Sequence, residues 1–544
     1  MSEQSSTPAP NRFERILDRP LPRLNAETVI FCVILLLAIF SRFYLLGDRV
    51  MSHDEINHVV PAWNFYEGRG YTHDPMTHGP LQFHLMALSY SLFGDTDAAS
   101  RVPDAVFSVL TVLFVMLAYR RYLGRTGALV AGALFLISPL MLFYGRYTRN
   151  EVYGAFFAVA MLYLTLRYLE EGQNRHLLWM AAVTVLSITD KATGYIFTAE
   201  LMIFLAVVFM WRISRRRWVK PGLITPFVIL LVAALGLVLG GVLVHSSLSA
   251  VAAAGTTTIS AAEAPTVEVP AAQPNAWMAY LLVGLGLAAL AGAAVCFVRG
   301  LTWRVITRER SFDLIMLLGT LILPLLASFV IRFMGWNPLD YSGVNLMRSL
   351  AVLGVLAIGA GALGMVWKPR VWLYSAGIFY AIFFILYTSL FTNSGGVLSG
   401  LLGQLGYWLE QQGVARGGQP WYVYVFVELP MYEYLAVIGT LLTAIWGLVT
   451  ALRNRPTKAE EAGAVLSEAA VEEEIDAQLS EAEIDKESGL PLPEAEVAAE
   501  QTIQRPPVLG LLLYWSAISL VAFTLAGEKM GWLTVHIIVG MLLA

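Results

Sequence analysis

Apolar runs of about 20 residues, the length needed to cross the hydrocarbon core of a bilayer, recur throughout this chain. They begin near Glu27, Val102, Thr126, Val152, Gly222, Ala276, Phe312, Leu346, Val371, Met431 and Pro507. Two shorter runs, Leu177 to Thr189 and Gly194 to Trp211, flank Asp190-Lys191 and predict a helical pair whose connection dips toward one surface. Thirteen spans result. A fourteenth run starts near Trp532 and stops at Ala544, which reads as a span left incomplete. With 57% apolar and 14% charged residues and a mean hydropathy of +0.63, a soluble domain is excluded. The expected fold class is an all-α polytopic membrane protein, a bundle of about 13–14 transmembrane helices with extracytoplasmic loop helices.

Residues 1–25 read as a cytoplasmic tail and 26–455 as the transmembrane domain, with external loops at 47–100, 245–276 and 392–430. The first run is preceded by about 25 polar residues and is long enough to remain as an anchor, so a cleaved signal is not expected. Residues 506–544 hold the last helices. From Thr457 to Arg505 there are 14 acids, three bases and no aromatic residue. This composition predicts a solvated, disordered cytoplasmic linker over 456–505. Outside that stretch 33 bases face 26 acids, a surplus of seven. Cys32 and Cys296 fall inside spans and imply no disulfide.

Basic residues set the orientation. Arg12 to Arg23, Arg120-Arg121-Arg125, Arg212 to Lys220, Arg299 to Arg310, Lys368-Arg370 and Arg453 to Lys458 return to one side, which collects 25 of the 36 Lys and Arg. The positive-inside rule makes that side cytoplasmic. The N-terminus is then cytoplasmic, and one extracytoplasmic face receives His53-Asp54-Glu55, Arg146 to Glu151, Asp190-Lys191, Asn337 to Asp340, Phe391 to Tyr424 and Gly527 to Met530. Five of the eight histidines, His53, His58, His73, His78 and His84, crowd into the first external loop.

In order along the chain stand Asp54-Glu55, His78-Gly79-Pro80-Leu81, Leu92-Phe93-Gly94 and Ser100-Arg101-Val102-Pro103. This series resembles the GT-C glycosyltransferases of the protein mannosyltransferase and aminoarabinose transferase type, although many of those carry Lys-Pro-Pro-Leu where this chain has His-Gly-Pro-Leu. Phe391-Thr392-Asn393, Tyr407-Trp408, Arg416 to Tyr422 and Gly527 to Met530 are similar to a narrower group of predicted membrane-bound mannosyltransferases, some described as flippase-associated. The resemblance implies sugar transfer, mannose at family level, from a polyprenyl-phosphate donor to an acceptor outside the cytoplasmic membrane, with inversion at the anomeric carbon. The acceptor, whether protein, lipid or glycan, is not indicated. Nucleic acid is not expected as a partner, whereas membrane lipid is.

That chemistry needs a base on the acceptor and cations for the departing phosphate. By analogy with the family, Asp54 is the base and Glu55 positions substrate or a cation. Arg146, Arg149 and Lys191 are the candidates for the donor phosphate, guanidinium offering a planar fork and ammonium a point charge. Glu151, His78, Tyr422 and Lys529 are candidate substrate contacts. Imidazole with carboxylate also suits a divalent metal, with His53 and His78 as candidates. Spacings of five, six and fifteen residues match no helical ligand pair, so a metal site and a plain surface loop both stay open. Tyr407, Trp408, Trp421, Tyr422 and Tyr424 fit either sugar stacking or an interfacial belt. Glu200 stands inside a span without an evident partner. A lipid-linked sugar flippase and a non-catalytic subunit of an envelope-glycan assembly system remain alternatives. The gathering of charge at outer helix ends favours an enzyme over the midplane sites of transporters.

Overall fold

The computed structural model describes residues 25–216, 218–255, 277–411, 419–453, 506–527 and 529–544. The basic tail before Asn25, Arg416 to Gly418, the acidic stretch and Glu528 lie outside them. The helices used below are α1 (Ala26–Phe43), α2 (His53–Tyr66), α3 (Leu81–Phe93), α4 (Asp97–Ala118), α5 (Arg120–Ile137), α6 (Pro139–Tyr144), α7 (Glu151–Glu171), α8 (Asn174–Asp190) and α9 (Thr193–Ser214). They continue with α10 (Ile224–Gly255), α11 (Trp277–Leu301), α12 (Arg310–Phe333), α13 (Gly343–Trp367), α14 (Pro369–Tyr387), α15 (Tyr434–Arg453), α16 (Val508–Leu525) and α17 (Thr534–Leu543).

Among the described residues eleven helices are long and apolar enough to span a membrane. α5 and α8, the other two of the thirteen expected spans, are not among them. α5 carries three arginines and is broken at Gly124, whose φ is 72°, and α8 has 17 residues ending on Asp190. α7, the most enclosed span, packs against α4, α8 and α17. Its buried face runs from Glu151 through Tyr168 and Leu169 around nearly the whole helix, as expected for a helix apolar on all sides.

The fourteenth run, Trp532 to Ala544, holds α17. α17 has ten residues, all buried, set among α5, α7, α15 and α16. At 1.5 Å per residue it rises about 15 Å, half the hydrocarbon thickness. Apolar on every face, it is stable only when enclosed by other helices.

Ion pairs mark one end of the bundle. Arg120 meets Glu27 at 2.8 Å, Arg121 meets Glu170 at 2.8 Å, Arg216 meets Glu309 at 3.1 Å and Lys368 meets Asp313 at 3.0 Å. Arg310 Nη1 donates to Glu170 O at 2.7 Å, which joins these pairs across α7 and α12. The basic clusters therefore share one layer, as their alternation along the sequence requires.

At the opposite end the first external loop is tied down in two places. His73 Nε2 donates to His78 O at 2.9 Å and its Nδ1 meets Ser399 Oγ at 3.0 Å, while Ser389 Oγ donates to Tyr71 O at 3.0 Å. Gly79 N donates to Asp190 O at 2.9 Å. The backbone of Gly79 lies so close to the end of α8 that a Cβ there would stand 2.0 Å from Thr189 O and 2.9 Å from Asp190 O. Backbone cannot yield as a side chain does. Gly79→Ala is expected to undock this loop and to destabilise the protein by at least about 1–3 kcal/mol, the usual range for overpacking. Thermal unfolding in detergent and protease cleavage between Gly68 and Gly70 would show it; a variant as stable and as resistant as the parent would disprove the docking.

Candidate active site at the loop-bearing end

α2 starts where it does because Ser52 and Glu55 form a capping box. Ser52 Oγ accepts from Glu55 N at 3.3 Å and Ser52 N donates to Glu55 Oε2 at 3.0 Å, satisfying two orphan amides of the first turn. Asp54 is thereby held in that turn, where the helix N-terminus favours negative charge. His58, four residues on, lies on the same face of α2.

The two adjacent carboxylates have different surroundings. Glu55 is fully buried and accepts five hydrogen bonds: Arg101 Nε at 2.8 Å and Nη2 at 3.0 Å, Arg49 Nη2 at 2.8 Å, Ser52 N at 3.0 Å and Thr148 N at 3.1 Å. A carboxylate offers about four lone-pair directions, so Glu55 is saturated. Burial pushes its pKa up, but the hydrogen bonds from Arg101, Ser52 and Thr148 and the charge of Arg101 outweigh that and hold it below the ordinary value. The cations that meet Glu55, expected to position substrate or a cation, are Arg101 and Arg49 of the chain itself.

Asp54 points into a chain of alternating charges. Its Oδ2 accepts from Arg149 Nη1 at 3.0 Å, and Arg149 Nε lies 3.3 Å from Glu151 Oε2. Glu151 Oε1 in turn accepts from Lys191 Nζ at 2.5 Å. In this chain Asp54 is the accessible member, with its side chain 40% exposed against 8% for Arg149, 6% for Lys191 and none for Glu151. Asp54, Arg149, Glu151 and Lys191, expected on one face, are thus brought together.

Each cation is fixed by its backbone. Arg149 N donates to Asp104 Oδ1 at 3.2 Å, and Asp104, buried in α4, also accepts from Tyr153 OH at 3.2 Å. Asn150 Nδ2 donates to Asp190 O at 3.1 Å and Oδ1 at 2.9 Å, fastening the start of α7 to the end of α8 beside Lys191. The Arg149 guanidinium lies over the Trp532 ring at 3.6 Å. His536, one turn into α17, is fully buried, and a Cβ on Gly154 would meet its ring at 2.9 Å. His78 stacks on His58 with ring centroids 5.9 Å apart. His78 itself has a φ of 73°, a left-handed conformation that non-glycine residues seldom adopt.

Several buried polar atoms around this chain have no hydrogen-bond partner among the described residues: His58 Nδ1, Asn150 Oδ1, Asp190 Oδ2, Trp532 Nε1 and both ring nitrogens of His536. Buried groups are ordinarily satisfied. Their concentration here marks a place shaped for a polar ligand.

Other expected site residues lie elsewhere. Arg146 donates from Nη1 to Ser41 O at 2.7 Å and from Nη2 to Leu45 O at 3.2 Å, on the outer end of α1, so it is not part of the Asp54 chain. Lys529 Nζ donates to Ala526 O at 2.9 Å and caps α16. Tyr422 is exposed beside Trp421 and Phe426, with ring centroids 5.8 and 6.5 Å away. Neither contacts the charge chain. Tyr424, its neighbour, is the buried one, with its OH accepting from Met530 N at 2.9 Å. His53 is exposed at the start of α2, and among the described residues no group of three His, Cys, Asp or Glu side chains converges on a metal position. Glu200 has a partner, Ser519 Oγ at 2.8 Å.

Residues 77–239 match the family model described as dolichyl-phosphate-mannose-protein mannosyltransferase. Among curated proteins, a polyprenol-phosphate-mannose–protein mannosyltransferase of Corynebacterium glutamicum is 28% identical over 183 residues, 31% of this chain and 34% of that protein. An uncharacterized protein of Aquifex aeolicus is 25% identical over 185 residues, 32% of this chain and 37% of that one. The chain spans about a third of the length of these curated relatives. Among solved structures, ArnT from Cupriavidus metallidurans bound to undecaprenyl phosphate aligns with 95% of this chain and 77% of its own at 13% identity and a TM-score of 0.30. The Archaeoglobus fulgidus oligosaccharyltransferase aligns with 72% of this chain and 55% of its own at 15% identity and a TM-score of 0.29. Over residues 77–239 the chain is thus similar to a family of lipid-linked mannosyltransferases.

Two outcomes are expected from this geometry. Glu55→Gln strips the charge from a buried partner of Arg101 and should destabilise the protein by about 3–5 kcal/mol, whereas Asp54→Asn, at a partly exposed pair, should change stability by less than about 1 kcal/mol. Equal losses in chemical denaturation would contradict the division of roles. The second concerns pH. Burial, with the Arg149 charge, lowers the His58 pKa to about 3, and burial lowers that of His73 to about 4. Between the ordinary histidine value of about 6.5 and these values the unfolded chain binds more protons, so stability falls as pH falls. At pH 5 each histidine accounts for about 2 kcal/mol of that loss. His58→Phe should flatten the dependence of the unfolding temperature on pH between about 6.5 and 4; an unchanged slope would count against it.

Proposed function

We propose that this chain is a GT-C membrane glycosyltransferase which moves a sugar, mannose by family likeness, from a polyprenyl-phosphate donor to an acceptor outside the cytoplasmic membrane, inverting the anomeric centre. One observation carries the reading: the carboxylate of Asp54, open to solvent, is in contact with a cation that begins a membrane span. The family match over residues 77–239 supports the reaction class.

In the proposed step the acceptor O–H approaches the anomeric carbon from the side away from the donor phosphate. The acceptor oxygen forms the new C–O bond, Asp54 takes its proton, and the bond between the anomeric carbon and the phosphate oxygen breaks. The bonding pair leaves with the polyprenyl phosphate. Its added charge falls to Arg149, whose planar guanidinium matches two phosphate oxygens, with Lys191 as a second cation behind Glu151. Preorganised cations in a site sheltered from water are worth more than the same charges in bulk. The Trp532 ring covers one face of the guanidinium. His58, His78 and His536, neutral and directed toward the same chain, are the candidates for hydrogen bonds to sugar hydroxyls.

Without donor, Arg149 is occupied by Asp54. The donor phosphate competes with Asp54 for that guanidinium, so donor binding releases the base, and the acceptor is deprotonated only afterwards. This places the acceptor on the aqueous side of α2 and the lipid on the α7 side.

Transfer from a radiolabelled polyprenyl-phosphate sugar to cell-envelope acceptors by the purified protein is the test. Asp54→Asn is expected to lower turnover by about 10²–10⁴-fold, the span of general base catalysis, while binding the donor at least as tightly as the parent because its competitor for Arg149 is gone. Arg149→Gln should lower turnover by about 10²–10³-fold, the cost of one lost electrostatic contact, and weaken donor binding as well. Donor binding lost in Asp54→Asn would overturn the competition. Lipid translocated across vesicles with no glycosidic bond broken would replace the enzyme by a flippase.

A further inference from the structure

A second feature lies away from the charge chain. A groove of about 580 Å³ runs along the outer end of α1 and α6, lined by Phe40, Tyr44, Leu142, Phe143, Arg49 and Arg146, with Ser41, Leu46 and Pro139 completing it. Its volume is that of a small-molecule site. Phe40, Tyr44 and Phe143 are exposed, so the walls present hydrocarbon to the bilayer while the two guanidiniums stand at the end where α1 leaves it.

Charge at that end is one-sided. Arg42, Arg49, Arg101 and Arg146 gather there, and among the described residues Glu55 is the single carboxylate paired with any of them. Arg42 is buried and spent on Ser108 Oγ, Phe135 O and Leu136 O at 3.1, 3.0 and 2.8 Å, and Arg101 on Glu55. Asp48 is exposed in the adjoining turn and pairs with none of the four among the described residues. Arg49 keeps its Nε and Nη1 free of protein partners among the described residues, its side chain being 41% exposed over the rings of Tyr147 and Phe143. Arg146, bonded through both Nη atoms to carbonyls, leaves Nε and a full positive charge. Two guanidiniums, each with part of its donor set committed, match the single charge of a phosphodiester better than a dianion.

We propose that this groove binds one anionic glycerophospholipid of the adjacent leaflet, with its phosphate on Arg49 and Arg146 and an acyl chain along Phe40, Tyr44, Leu142 and Phe143. The site is separate from the one proposed for the donor and stands without it. Arg49 connects the two, since the same guanidinium is bonded to Glu55, next to Asp54 in α2.

The test uses the whole chain, delipidated in detergent, with phosphatidylglycerol, phosphatidylcholine and undecaprenyl phosphate as probes in native mass spectrometry. Phosphatidylglycerol should be retained in preference to phosphatidylcholine. Arg146→Gln should weaken that retention by about five-fold, the loss typical of one basic residue at an anionic membrane surface. Leu142→Trp, which fills the groove and leaves both arginines in place, should weaken it too, so the proposal stays testable if the arginine variant fails to fold. Equal retention of the two phospholipids, or retention unaltered in both folded variants, would overturn the proposal. Undecaprenyl phosphate displacing phosphatidylglycerol in an Arg146-dependent way would overturn it as well, assigning the groove to the donor lipid.

Discussion

The buried pair of Glu55 and Arg101 is the constraint on which the loop-bearing end of the molecule depends. Both side chains are fully enclosed, and two enclosed charges are tolerated only when their hydrogen-bonding capacity is used. Glu55 meets that condition by gathering donors from four places in the chain: the turn after α1, the cap of α2, the first turns of α4 and the loop before α7. Arg101 Nη1 answers with bonds to Leu46 O and Arg49 O at 3.0 and 2.9 Å. Segments that hydrophobic burial alone would leave free to slide are thereby set in one register, and Asp54 is presented by the same turn.

What the clasp presents is a row of charges that compensate one another in the absence of ligand. Arg149 lies between two carboxylates and under an indole ring, so its position is decided by competing attractions of similar strength. Lys191, with one short bond to the enclosed Glu151, has a single ion-pair partner, whereas Arg149 has two carboxylates and a ring. On the proposed function it is Arg149 that is handed to the phosphate.

The spans were legible because hydrocarbon admits little besides helices whose length matches its thickness. The enclosure of α17 was not, since apolar composition alone does not tell a helix that faces lipid from one walled in by its neighbours. At the site, Asp54, Arg149, Glu151 and Lys191 could be read as charges at helix ends that alternation puts on one face. The opposite roles of Asp54 and Glu55 could not: neighbours on a helix point about 100° apart, and which of them faces inward depends on Arg101. Arg101 stood in view within Ser100 to Pro103, and Asp104 and His536 carried the signal that singled out Glu200, an ionisable group in an apolar run. Trp532 offered none, because an indole near a membrane surface is commonplace. Arg146 was misplaced for a related reason: three residues from Arg149 in sequence, it turns toward α1 while Arg149 turns toward α2.

A helix enclosed on every side has a consequence for how the molecule is made. The ten residues of α17 are all buried, and the helices that surround them come from both halves of the chain. α17 can therefore find its place only after those helices have been threaded into the membrane and gathered, and it brings Trp532 and His536 with it. Arg149 acquires its aromatic cover at that last event. The seating of the enclosed helix and the completion of the surroundings of Arg149 are then one event.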